Sequence, residues 1–170
     1  NNNNNNNNKA HPLIVLLHGR HVTCFQGASV FLEWPCQSGH TTIPSYRGYD
    51  YIASNLASYG YIVVSISANG INAADNGASD AGALARAQLI QHHLDLWKGF
   101  NSPSGGTPFG TTFSGKVDLT KVGTMGHSRG GEGVVRQFIY NASQPTPYGI
   151  KAVLPLAPVD ERPNEPAPSR

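Results

Sequence analysis

The sequence predicts an α/β fold: a mainly parallel sheet flanked by helices, with only its central strands present. Three observations predict it. Apolar runs of strand length, "PLIVLL" and "YIVVSI", alternate with stretches of helical periodicity. Their unbroken Val/Ile/Leu character is that of strands buried on both faces. The element order strand, helix, strand, helix, strand, helix, strand then calls for crossovers and parallel pairing.

"PLIVLLHGR" is the first strand, ended by His18-Gly19. Residues 20–44 carry Gly27, Pro35, Gly39 and Pro44 without clear periodicity and read as a long functional loop. "YRGYDYIASNLASYG" reads as a helix closed by Gly60, and "YIVVSI" as the second strand. A longer helix starts near Ser79, with Ser79 or Asp80 placed to cap it. Ala83, Ala87, Ile90, Leu94 and Trp97 form its apolar stripe. "GFNSPSGGTPFGTTFSG" is an exposed connection, and "KVGTM" a short third strand. "GEGVVRQFIYNA" is a helix expected to pack through Val134, Val135, Phe138 and Ile139, and "IKAVLPLAPV" is the fourth strand. Residues 9–160 make up this core. Asn1–Asn8 are low-complexity or filler sequence, and residues 161–170 are a proline-rich tail.

Composition narrows the partners. The 170 residues suit one domain and carry 12 basic and 10 acidic side chains, a formal net charge of +2 without blocks of one sign. That excludes an electrostatic footprint for nucleic acid or a polybasic membrane patch. The apolar runs are too short to span a bilayer. Cys24 and Cys36 stand twelve apart in the long loop. They are either unrelated reduced thiols or a disulfide, which the even count and the unsupported loop favour, and which implies an oxidising compartment.

The chemistry gathers in "TMGHSRGGEGVV". "GHSRG", Gly126 to Gly130, fits G-x-S-x-G, and it directly follows a strand and directly opens a helix. Ser128 is thereby expected on a strained turn, its hydroxyl raised above the strand end as a nucleophile. The competing reading makes it a helix cap in a glycine-rich turn. The backbone N–H of Arg129 and the positive end of the helix would stabilise an oxyanion. Because ligands bind beyond the carboxyl ends of such strands, the loop after His18-Gly19 is expected to add a second donor, Arg20 before His21.

On these pieces the chain resembles the α/β-hydrolase superfamily. "LIVLLHGR", "YIVVSISANG", "GHSRGGEG" and "KAVLPLAPVD" look like its central part, close to secreted bacterial esterases and lipases of the cutinase and polyester-hydrolase neighbourhood. The resemblance spans roughly residues 11 to 160. It implies an acyl-enzyme on Ser128, oxyanion donors at Arg20 and Arg129, and no metal or organic cofactor. The implied substrate is a small-molecule or polymeric carboxylic ester, met outside the cytoplasm. A peptidase or an acyltransferase would use the same nucleophile.

The superfamily order is serine, acid, histidine. All seven histidines (His11, His18, His21, His40, His92, His93, His127) precede Ser128. Asp160, after the fourth strand, is the candidate acid, with a solvated loop carboxylate as the alternative. Asp75 and Asp80 are candidates for the cleft rim but precede the serine. The chain therefore reads as a fragment that stops before the last strands. The alternative is a non-catalytic binding protein of the same fold, lacking the base. Glu132 reads as a structural residue in the first helical turn, and Asn141–Ser143 has the form of a glycosylation sequon. Trp97 suits the helix core, as do the aromatics of the first helix, whereas Trp34 and Phe25 are placed to reach the cleft.

Overall fold

Apolar runs and polar breaks resolve into seven strands and four α-helices in the structure, a computed structural model that describes residues 9–159. Strand β1 (His11–Leu17) is followed by three short strands, β2 (Cys24–Gln26), β3 (Ser29–Phe31) and β4 (Thr41–Thr42). Then come α1 (Asp50–Ser58), β5 (Ile62–Ile66), α2 (Asn69–Ala74) and α3 (Ala83–Phe100). Strand β6 (Val117–His127), α4 (Arg129–Ala142) and β7 (Ile150–Leu156) complete the order. The four long strands pair in parallel in the order β5-β1-β6-β7, with helices flanking them. The α/β class read from the sequence is the class observed.

Alternation along β1 builds the core. Leu13, Val15 and Leu17 are fully buried and meet Ile90, Leu94 and Trp97 of α3 and Val134 of α4. Each such aliphatic side chain contributes about 1.5–3 kcal/mol by leaving water. The stripe predicted for α3, Ala83 to Trp97, is buried throughout. Trp97 is also ringed by Phe100, Phe109 and Phe113 at centroid distances of 5.5, 5.8 and 4.8 Å. The connection after α3 thus folds back onto the helix it leaves.

Five expectations need correction. The aromatics of the first helix are not core, because Tyr51 and Tyr59 are exposed and α1 buries no residue fully. Residues 20–44 are not simply a loop, because β2, β3 and β4 form a small antiparallel sheet. Helix α3 starts at Ala83, after a turn in which the Asp80 carboxylate accepts the N–H groups of Gly82 (3.0 Å) and Leu84 (2.8 Å). Strand β6 runs eleven residues rather than the five of "KVGTM". Helix α4 does not pack through Val135, Phe138 and Ile139, which are 42%, 50% and 44% exposed. Its buried face is Gly130, Gly133, Val134, Gln137 and Asn141. The reason is the close approach of α3: a Cβ at Gly133 would stand 2.8 Å from the Arg86 Cβ. Across this seam Gln137 donates to Gln91 (3.0 Å).

The small sheet, in the order β3-β2-β4, is tied by a disulfide between Cys24 and Cys36. Closing a loop of sequence separation 12 is worth about 3 kcal/mol in the chain-entropy account. Among the described residues no helix is long and apolar enough to cross a membrane.

Candidate active site

Parallel pairing brings the carboxyl ends of the strands to one edge. Leu17 is in register with Ile66 and Gly126, and His127 with Leu156. The chain lays β5 on one side of β1 and later β6 on the other, so the winding reverses at β1. In an open parallel sheet that reversal leaves a crevice at the strand ends. The residues after β1 (His18, Gly19, Arg20) and after β6 (Ser128) flank it.

Ser128 has φ 56° and ψ −123°, a positive φ that side-chain-bearing residues rarely adopt. Such a conformation costs about 1–3 kcal/mol and persists only where the surroundings impose it. Here they do. Its N–H donates to the Leu156 carbonyl (2.9 Å), and its carbonyl accepts the N–H of Gly131 (2.9 Å). The turn is as tight as its glycines allow: a Cβ at Gly126 would lie 2.2 Å from the Gly130 carbonyl oxygen. At Gly19 it would meet the His127 carbonyl oxygen at 2.9 Å and the Ser128 Cβ at 3.1 Å, so the loop after β1 touches the serine turn. Ser128 occupies the N-cap position of α4, yet its side chain makes no capping hydrogen bond. It is half-buried. The cap reading of this serine is therefore wrong for the folded chain.

His18 is part of the frame. Its buried ring spans the ends of β1 and β5, accepting the Ala68 N–H at Nε2 (2.9 Å) and facing the Gly19 carbonyl through Nδ1 (2.8 Å). That pattern holds the neutral ring with its proton on Nδ1. Burial lowers its pKa below 6.5; the Gly19 carbonyl opposes this, and the nearby His21 and Arg86 charges add to it. A neutral folded ring competes with an unfolded ring that protonates normally, so its contribution is complete above about pH 6.5 and is lost as pH falls below it. The urea midpoint is expected to fall between pH 7.5 and 5, and His18→Gln to show a shallower slope. An equally steep slope in the variant sinks this assignment.

Around the serine turn lies a cluster of opposite charges. Asp75, just after α2, has a fully buried carboxylate. It accepts Arg20 Nε at Oδ1 (2.8 Å), and Arg86 Nη2 (2.8 Å) and Arg129 Nη1 (2.9 Å) at Oδ2. Burial would raise this carboxyl, but the Arg86, Arg20 and Arg129 guanidiniums outweigh it and hold the pKa below the usual carboxylate value. Arg86, fully buried, also donates to Asn72 Oδ1 (2.7 Å) and the Ala81 carbonyl (2.9 Å). Asn72 in turn donates to the Gly19 carbonyl (3.1 Å).

No protein-family model and no curated protein matches the chain. The site therefore rests on its own geometry.

That geometry places the expected residues unevenly. Ser128, Arg129 and the Gly19-Arg20 segment come together at the crevice. Asp75 is no rim carboxylate but the buried centre of the arginine cluster, and the Asp80 carboxylate accepts the Leu84 N–H in the first turn of α3, whose N-cap position is Gly82. Asp160 lies outside the described residues. Among the described residues no histidine nitrogen is hydrogen-bonded to the Ser128 hydroxyl. His40 instead pairs with Glu33 and stacks on Phe31 in the small sheet, while His92 is exposed and His93 half-buried along α3. Trp34 sits against Gly70 of α2, where a Cβ would stand 3.1 Å from its ring. Asn141 is buried and bonded both ways to the Tyr148 backbone (2.9 Å each), so its side chain is not presented as a sequon would be. Arg86 is the residue the sequence reading passed over. Its signal was position: three residues after Ala83 and four before Ile90, it is a charge on the apolar stripe itself.

Proposed function

We propose that the protein is a serine hydrolase of the α/β-hydrolase superfamily that cleaves carboxylic esters through an acyl-enzyme on Ser128. One observation carries the reading: a serine with positive φ, at a strand-to-helix turn beside the sheet's winding reversal, whose hydroxyl caps nothing. Strain of this kind is retained where it aims a reactive group. In the proposed reaction Ser128 Oγ attacks the ester carbonyl and its proton passes to a general base. The Arg20 and Arg129 backbone N–H groups and the N-terminus of α4 stabilise the oxyanion, the alcohol leaves, and water releases the acid. Neither a metal nor an organic cofactor enters this scheme. The disulfide supports action outside the cytoplasm, on a small or polymeric ester.

A non-catalytic binding protein of the same fold is favoured by one observation only, the lack of a histidine bonded to Ser128 among the described residues. A fluorophosphonate probe separates the two readings. The full-length protein is expected to take up the probe on the peptide containing Ser128, and Ser128→Ala to take up none. A folded wild-type protein that stays unlabelled supports the binder and overturns the hydrolase.

A further inference from the structure

The segment after β1 has no ladder to hold it. From His18 to Val22 the backbone belongs to neither helix nor strand, so the position of an N–H such as that of Arg20 depends on what the side chains grip. Arg20 grips Asp75 through Nε (2.8 Å) and Asn76 through Nη2 (2.7 Å). Across the crevice, Arg129, the first residue of α4, reaches the same Asp75 carboxylate (2.9 Å). Arg129, which follows Ser128, and Arg20, which follows the Gly19 that touches the serine turn, are thus tied to one buried anion through their side chains. The anion itself is pinned from behind by fully buried Arg86 and packed against Gly82, where a Cβ would stand 3.0 Å from Asp75 Cβ.

We propose that Asp75 is a positioning residue that sets the spacing of the Arg20 and Arg129 backbone donors across the Ser128 crevice. This rests on the serine-hydrolase reading. An ion cluster serving stability alone would have no need to take two of its three guanidiniums from the residues bordering the serine. The physical argument is one of tolerance. A donor stabilises an oxyanion when it stands within a few tenths of an ångström of its place, and losing one costs about 10²–10³ in turnover. A misplacement near 1 Å costs about 10²-fold. One rigid carboxylate gripping both carriers fixes their separation with a single part.

The test uses side chains, because substitution leaves the backbone donors in place. Wild-type, Asp75→Asn, Arg20→Gln, Arg20→Lys and the Asp75→Asn/Arg20→Gln double variant of the full-length protein are compared by the rate of Ser128 phosphonylation. Hydrolysis of p-nitrophenyl butyrate is measured beside it. Each of the two disruptive single variants is expected to slow phosphonylation about 10- to 100-fold and to lower kcat with KM little changed. The double variant is expected to be no slower than the slower single, since Asp75→Asn already removes the anion that Arg20 grips. Arg20→Lys is expected to recover part of the rate. Arg20 is partly exposed, so its Gln variant is expected to keep the wild-type fold by circular dichroism, and it decides the matter alone if Asp75→Asn fails to fold. Folded variants that label at the wild-type rate, or singles whose effects multiply in the double, overturn the inference while leaving the hydrolase reading intact. A wild-type protein that does not label overturns both.

Discussion

Alanine at position 130 is expected to keep the protein from reaching its native state, although it adds one methyl group to a helix that ordinarily welcomes alanine. The new Cβ would lie 2.4 Å from the Leu17 carbonyl oxygen and 2.7 Å from that of His18. Both are main-chain atoms at the end of the central strand, so neither can rotate away as a side chain would. Relief requires moving α4 off the sheet or breaking the end of β1, and both moves disturb the turn that carries Ser128. Overpacking in a rigid interior typically costs about 1–3 kcal/mol, and immovable contacts place this site at or above the upper end. For a domain with roughly 5–15 kcal/mol in hand, insoluble expression or a large drop in urea midpoint is the expected outcome. Gly99→Ala is the control: nothing lies within 4 Å of its added Cβ, and inside α3 it is expected to be stabilising by up to about 1 kcal/mol. A Gly130→Ala protein as stable as wild type would show that the strand, turn and helix do not meet as described.

Arg86→Met is the second substitution with a large expected effect. Methionine keeps much of the buried stem but removes the guanidinium, leaving Asn72 Oδ1 and the Ala81 carbonyl without their donor and Asp75 with two partners in place of three. Breaking a buried charge pair from one side costs about 3–5 kcal/mol. Since Arg20 and Arg129 remain, a loss near 3 kcal/mol is expected. Removing the outer arm is a different matter, because the Arg20 side chain is 28% exposed, and an ion pair open to water is worth about 1 kcal/mol or less. Urea titration of both variants measures the contrast. Equal losses would mean that burial does not set the hierarchy within the cluster.

Much of the architecture was legible because its signals are local. Aliphatic runs became β1, β5 and β7, "KVGTM" became part of β6, the Ala83-to-Trp97 stripe became the inner face of α3, and strand, "GHSRG" and helix came in the expected order. What escaped was long-range or polar. Helix α2, Asn69–Ala74, has six residues and no apolar period to announce it. The apolar side chains of α4 suggested a core face, but the contact with α3 selected small and hydrogen-bonding residues instead. No pattern in the chain connects Arg20, Asp75, Arg86 and Arg129; only the fold does. The acid and base that the proposed hydrolase would need have no local signal in the sequence, and among the described residues no histidine is bonded to the Ser128 hydroxyl.

The cross-linked lobe of β2, β3 and β4 hangs from the loop that leaves β1, and of its strand residues only Cys24 reaches the buried core. Its coherence comes from its own covalent staple and three short pairings rather than from the large sheet. The consequence is modularity. Insertions, shortened turns or swapped side chains between residues 24 and 42 are expected to be absorbed without repacking the large sheet. The small sheet and the serine turn thus belong to separately variable parts of the fold.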